Sequence, residues 1–334
     1  MAEATKLEGL VFDNSNIVDE CALLSTFLVC RSMRAEDELI SILRKAAKLV
    51  ESRGVLTAAK LAICLKDKET LLICLERATG AAANTIVGYL AELARKDPTI
   101  KNLLFNVLSS TDGRSKPRYL RLVVRTITHI SDAAAYELLD KALNGELSEY
   151  ARCFVLEHFQ GEKVLLCALD MLEDSSDPQA ITMLFDIILK NMRYAQHLED
   201  RIISQALKFI AAERSTYTAT QAALVLLCFD KLNETLFHNV IDTASSAAYM
   251  LQWTILLQLP VGKKNLESLL NMIDSSVNCP SARRALPFVY MLRGDMERSM
   301  FCGDYNFMMD FLSTALTEAV DMERRLADER LYVC

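Results

Sequence analysis

Ten cysteines, four histidines and a short run of cations are the residues of this 334-residue chain with chemistry to offer. The cysteines stand at positions 21, 30, 64, 74, 153, 167, 228, 279, 302 and 334. None forms a CxxC pair, and none has a histidine at zinc-finger spacing. Most lie inside apolar runs such as Leu71-Leu72-Ile73-Cys74-Leu75, so the spacing predicts buried free thiols rather than a metal site or a disulfide frame. Unpaired thiols fit a reducing compartment, cytosol or nucleus. His129, His158, His197 and His238 are scattered singly near the ends of apolar-periodic segments, where an imidazolium answers a helix dipole more readily than it binds a ligand. Phosphate loops and hydrolase signatures are absent: Val261-Gly262-Lys263-Lys264 lacks the upstream glycine and the Ser/Thr that would hold a nucleotide-bound magnesium. No catalytic, metal or cofactor residue is assigned, and the chain is expected not to be an enzyme.

Two other clusters are candidates for binding. Arg114, Lys116, Arg118, Arg121 and Arg125 concentrate positive charge, and the last three recur at helical spacing on one face. Such a ridge can clamp an acidic peptide or phosphates through charge-assisted hydrogen bonds; its plainer reading is a solvated face, or ion pairs to a neighbouring helix pair. Towards the end of the chain, Met291, Met296, Met300, Met308 and Met309 stand among Phe301, Tyr305, Phe307 and Phe311. Flexible thioethers suit a groove for an amphipathic partner helix, with Met300, Met308 and Met309 as the residues at stake, and equally well they fill a core.

Positioning any of these requires a helical frame. Hydrophobic residues make up 51% of the chain and charged residues 24%, which excludes a disordered polymer. With Gly only 10 and Pro only 6, there are too few turn formers for an all-β chain. The formal charge of −7 speaks against a general nucleic-acid binder. The densest apolar segments, Ala222 to Phe229 among them, fall well short of the ~20 residues that span a bilayer. Met1 to Gly9 carries Glu3 and Glu8 and lacks the apolar core of a secretory leader. A protein free of the membrane is expected.

The stretch from Lys163 to Met192 shows the building unit. Leu165, Ala168, Leu169 and Leu172 form one apolar stripe, Ile181, Leu184, Phe185 and Ile188 another, and Asp174-Ser175-Ser176-Asp177-Pro178 joins them. Asp177 is placed to cap the second helix, with Pro178 at its first position, where the missing N–H costs nothing. Similar stripes recur from Ile17 onward after a polar lead over 1–15: at about 56–65, 68–78 with Asp67 as cap, 117–129, 131–143 with Ser131 as cap, 147–159, 197–212, 217–229, 233–258 with a break near 243–246, and 264–274. Gly54, Gly80, Asn144-Gly145 and Gly161 read as stops. Asp97-Pro98 repeats the Asp-Pro punctuation 80 residues before Asp177-Pro178, which hints at a ~40-residue helical period. Pro280 opens a further helix that Pro287 should kink, and a charged helix over about 304–330 reads as a cap, within one continuous domain over 1–334.

The run Leu169 to Ile181, and the similar run from Leu266 to Met291, resemble the junction between two helices in armadillo and HEAT repeats, where a leucine-rich helix ends in a short Ser/Asp turn and the next begins at Pro. The resemblance implies an all-α fold, a right-handed superhelical stack of antiparallel helix pairs. It also implies a non-enzymatic scaffold or adaptor subunit binding one or more proteins. Within that class the narrower expectation is a dedicated subunit of one machine: a proton-pump peripheral subunit, an actin-nucleation regulator or a kinase scaffold. The alternative from another class is a helical enzyme with a cryptic site. Trp253 is the only tryptophan, so the repeated Trp/Asn ladder with which importin-type armadillo proteins clamp a basic peptide is missing.

Overall fold

The computed structural model describes residues 36–49, 54–111, 113–211, 216–241, 246–256 and 259–301, together with 24, 28, 313 and 332–333. Among them the chain forms 17 α-helices. These are α1 (Glu36–Leu49), α2 (Val55–Leu65), α3 (Lys68–Arg77), α4 (Gly80–Lys96), α5 (Pro98–Ser110), α6 (Pro117–Thr128), α7 (Asp132–Leu143) and α8 (Glu149–Leu156). After a short extended segment β1 (Phe159–Gln160) come α9 (Glu162–Asp174), α10 (Pro178–Lys190), α11 (Glu199–Ala211), α12 (Thr216–Cys228), α13 (Glu234–Val240), α14 (Ser246–Leu256), α15 (Lys263–Ser275), α16 (Pro280–Leu292) and α17 (Met296–Phe301). A second extended pair, β2 (Tyr332–Val333), lies parallel to β1. Apart from residues 24, 28 and 313, the helices at about 15–30 and 304–330, and the polar lead, fall outside the described residues.

Helix starts obey local chemistry. Asp177 accepts from the amides of Gln179 at 2.9 Å and Ala180 at 3.1 Å, and Pro178 follows it. Asp97 accepts from Thr99 N at 2.9 Å ahead of Pro98, Ser131 from Ala134 N at 3.2 Å, and Asn233 from Leu236 N at 2.9 Å. Each bond satisfies one of the orphan donors of a first turn. Asp67 departs from this pattern. It stands at the start of α3 without capping it, because its carboxylate is taken by the Arg44 fork at 2.7 and 3.0 Å and by the Thr70 hydroxyl.

Three stops are also corrected. Gly54 and Gly80 stand at helix starts, and Gly161 precedes α9 with φ 145°. The helix expected to reach 159 therefore ends at Leu156, and an extended segment intervenes. α16 runs on through Pro287 as a single element.

The described chain divides into two compact units, one up to Phe154 and one from Val155. In the first, α6 is the hub, packed against α3, α4, α5 and α7. In the second, α12 is the hub, packed against α10, α11, α13, α14 and α15. In both units helices touch the next one along and also the one after that: α2 meets α4 and α4 meets α6, and the row α10, α12, α14, α16 is continuous. Contact with the second neighbour is what a helix hairpin needs when it cannot bury its apolar side alone. The shared interior includes Leu90, Leu104, Leu120 and Val124 in the first unit, and Leu184, Phe185, Leu226 and Phe237 in the second. Phe185 meets Phe209 edge to face at 5.4 Å, joining α10 to α11.

Helices α9, α11 and α13 begin at Glu162, Glu199 and Glu234, steps of 37 and 35 residues, below the ~40–47 of armadillo and HEAT repeats. The two Asp-Pro starts are not two periods apart: Asp97-Pro98 opens α5 and Asp177-Pro178 opens α10, an odd number of helices later.

Candidate interaction surface

The five cations of the ridge lie on the turn before α6 and on its outward face, while Tyr119, Leu120, Val123, Val124 and Ile127 fill the inward one. Four of the five make contacts inside the first unit. Lys116 pairs with Glu76 at 2.8 Å, Arg118 donates to the carbonyl of Ala78, and Arg125 donates to Asn84 Oδ1 at 2.8 Å. Arg121 lies over the Phe154 ring at 4.9 Å, and Arg114 is exposed on the turn. The ridge is thus built, in large part, as a set of clamps onto α3 and α4.

Arg118 belongs to a wider pattern. Arg77 donates to Lys48 O near the end of α1, and Arg152 to Ala142 O at 2.9 Å near the end of α7. Arg95 donates to His129 O at 2.5 Å and Ile130 O at 2.8 Å beyond α6. In each case a guanidinium from one helix meets the orphan carbonyls, and the negative dipole end, of another. His129 occupies the C-cap position of α6 and His238 the last turn of α13.

In the second unit the same job falls to neutral groups. Asn265 donates to Leu227 O at 3.2 Å, Cys279 to Ile241 O at 3.1 Å, and Ser281 Oγ accepts from Ala247 N at 2.9 Å. Between α10 and α12, the Thr182 and Thr218 hydroxyls bond at 2.9 Å, and the Gln221 amide donates to Thr182 O at 3.2 Å and to Asp186. Charged pairs appear at its edges. Arg201 bridges Asp170 and Glu173 at 2.6 Å each, and Arg293 reaches Asp274 at 2.9 Å and Glu267 at 3.2 Å. Arg201 holds the Glu173 carboxyl below its ordinary value.

The thiols follow the sequence reading in part. Cys74, Cys153 and Cys167 are buried and Cys64 is exposed. Burial pushes the Cys74 and Cys228 thiols up to about 12, which leaves little thiolate to act as nucleophile or ligand near neutral pH. Among the described residues no three His, Cys, Asp or Glu side chains are grouped to hold a metal ion, and no helix is long and apolar enough to cross a membrane.

Sequence reasoning missed one surface feature. Tyr217 on α12 and Tyr249 on α14 are each 38% exposed and meet edge to face, ring centroids 6.3 Å apart, on the continuous row of the second unit. The available signal was a tyrosine in the first turn of two apolar helices, each after a run of small residues: Ser215-Thr216-Tyr217 and Ser246-Ala247-Ala248-Tyr249. Tyrosine is among the residue types enriched at the anchoring positions of protein interfaces. Of the methionine cluster, Met296 is 53% exposed and Met300 lies in α17. Met308 and Met309 lie outside the described residues.

No protein-family model, curated protein or solved structure matches this chain. The class that the fold defines is therefore the coarse one: among the described residues, an all-α fold whose neighbouring helices pack against one another.

Proposed function

We propose that this chain is a non-enzymatic α-solenoid, a stack of antiparallel helix pairs that binds one or more proteins as a scaffold or adaptor subunit. One observation supports the reading above the others: helices contact their second neighbours, and polar bonds such as Lys101–Glu137 at 2.9 Å and Thr182–Thr218 at 2.9 Å tie one pair to the next. Such stacking spreads the interior along a line and produces broad surface rather than a closed reaction chamber. From surface to binding the step is by analogy, since one fold hosts many roles.

The partner-facing surface is placed on the row bearing Tyr217 and Tyr249. The α6 ridge is its rival, although Lys116, Arg118, Arg121 and Arg125 also make contacts within the first unit.

The test is reconstitution. A protein retained by the tagged chain at moderate salt is identified, purified and recombined with it, and stoichiometric binding is weighed in solution. Loss of that binding in the Tyr217→Ala/Tyr249→Ala chain, with Arg121→Glu binding normally, is the expected result. The opposite pattern moves the contact to the ridge. A nucleotide or metal retained through purification, with no partner recovered, favours the helical enzyme instead.

A further inference from the structure

Gln221 leaves half of its side-chain amide unused. Its nitrogen donates to Thr182 O at 3.2 Å and to the Asp186 carboxylate, two acceptors that fix which end of the amide faces α10. The other end, Oε1, is shut off from solvent in a residue only 1% exposed, and no donor among the described residues reaches it. Gln252 on α14 has its Oε1 in the same condition. A buried acceptor left without a donor forfeits the hydrogen bond that water supplied in the unfolded chain, so two of them on adjoining helices need an explanation.

Position supplies one. Gln221 follows Tyr217 by four residues and Gln252 follows Tyr249 by three, so each glutamine shares a helix face with one ring of the tyrosine pair. Long side chains on a helix lean back towards its N-terminus, which carries both amides towards the rings. Neither α12 nor α14 has a charged residue, and the carboxylate that accepts from Gln221 polarises the amide towards its carbonyl end. Acceptor oxygens, tyrosine faces and a carboxylate, with no cation on either helix, suit a flat cation with several N–H donors. We propose that this end of α12 and α14 receives an arginine side chain of the protein partner, its guanidinium donating to Gln221 Oε1 and Gln252 Oε1 while its plane lies against the tyrosine pair. The inference rests on the reading of this row as the partner-facing surface and names the chemistry that the surface recognises.

The test needs no partner protein. N-acetyl-arginine amide and its citrulline counterpart, which has the same shape without the charge, are titrated into the full chain, and the side-chain amide signals of Gln221 and Gln252 are followed by NMR. Saturable shifts of both signals are expected with the arginine compound, and binding weaker by roughly tenfold or more with citrulline, because the bonds are no longer charge-assisted. Gln252→Leu, which keeps the bulk and removes the acceptor, should weaken arginine binding by roughly tenfold. Citrulline binding as tightly as arginine, or arginine leaving both glutamine signals unmoved, would overturn the proposal, and both outcomes are read on the unsubstituted chain even where Gln252→Leu fails to fold. A partner that is lost from the Tyr217→Ala/Tyr249→Ala chain, while the arginine compound does not bind, would strike the guanidinium and keep the row as the binding surface. Arginine binding, with a partner indifferent to the tyrosine pair, would strike the partner-facing reading and the arginine's assignment to a partner with it.

Discussion

Helices α6 and α12 hold the same office in their two units and do it by opposite means. α6 is two-faced: five apolar side chains point inward, and Arg118, Arg121 and Arg125 stand outside, reaching back over α3 and α4 or onto Phe154. α12 has no wet stripe to speak of. From Ala222 to Leu227 six consecutive residues are buried, because helices close round it on nearly every side. Its register with α10 is set from within by Thr182, Thr218 and Gln221. A helix whose outer face meets solvent can be aligned by long cations that keep their charge hydrated. A surrounded helix must use short neutral groups, because burying an unpaired charge costs far more than one hydrogen bond returns.

The sharpest way to break this contrast is the packing of the enclosed helix. Leu226→Ala should destabilise the second unit by about 2–5 kcal/mol, since the surrounding helices cannot collapse into the gap. Urea unfolding followed by Trp253, which lies in α14, would register it; a change below about 1 kcal/mol would show that α12 is not the hub.

Next in size comes Gly113, on the turn before α6. A Cβ built there meets Tyr150 Cβ at 2.2 Å and Leu120 Cδ1 at 3.3 Å, so Gly113→Ala must displace the Tyr150 side chain or the turn itself. Overpacking of this kind costs about 1–3 kcal/mol, and the loss should be confined to the first unit in a fragment-resolved hydrogen-exchange experiment.

Smaller effects separate the two kinds of clamp. A double-mutant cycle on Thr182→Val and Thr218→Val should give a coupling of about 1 kcal/mol that is indifferent to salt. Arg118→Gln and Arg125→Gln should each cost about 1 kcal/mol or less, and Lys116→Gln less again, the Lys116 loss shrinking as salt rises because its pair with Glu76 is exposed. Salt-independent losses at Lys116, or a salt-dependent Thr182–Thr218 coupling, would erase the distinction.

Acid should touch the first unit through Asp97. The Lys68 ammonium beside it, with Thr99, holds its carboxyl down to about 2 from an ordinary 3.8. A carboxyl lowered by folding stabilises the fold above its unfolded value and loses that contribution as pH falls through the folded one. Between about pH 4 and pH 2 the unfolding midpoint should therefore fall less steeply in Asp97→Asn than in the parent chain. Asp67 acts in the same direction. Burial works to raise its carboxyl, but the Arg44 fork and the Thr70 hydroxyl outweigh burial and hold it below its ordinary value.

Much of the fold was legible from local rules. The apolar stripes place α7, α9, α10 and α15 nearly to the residue, because a helix face and its cap are written within a few positions of one another. Errors gathered where a distant group competed. Asp67 reads as a cap, but Arg44 lies over it; Gly161 reads as a stop, but Asn191 holds it open ahead of the next helix. The ridge was legible as charge, and ion pairing to a neighbouring helix pair was among its readings, as Lys116–Glu76 shows; but nothing near Arg118 in the sequence announces that the carbonyl of Ala78 will face it. Tyr217 and Tyr249 went unremarked for the same reason: their pairing exists only after α12 and α14 lie side by side.

Composition and periodicity by themselves determined that this chain is helical, where most of its helices begin, and that each has a face needing cover. Tertiary structure alone decided which helices cover one another, which cations are consumed in doing so, and which side chains remain on the surface. The reason is range: capping and amphipathicity act within one or two turns of backbone, whereas a clamp or an aromatic pair joins residues a whole helix pair apart, whose meeting is fixed only by packing.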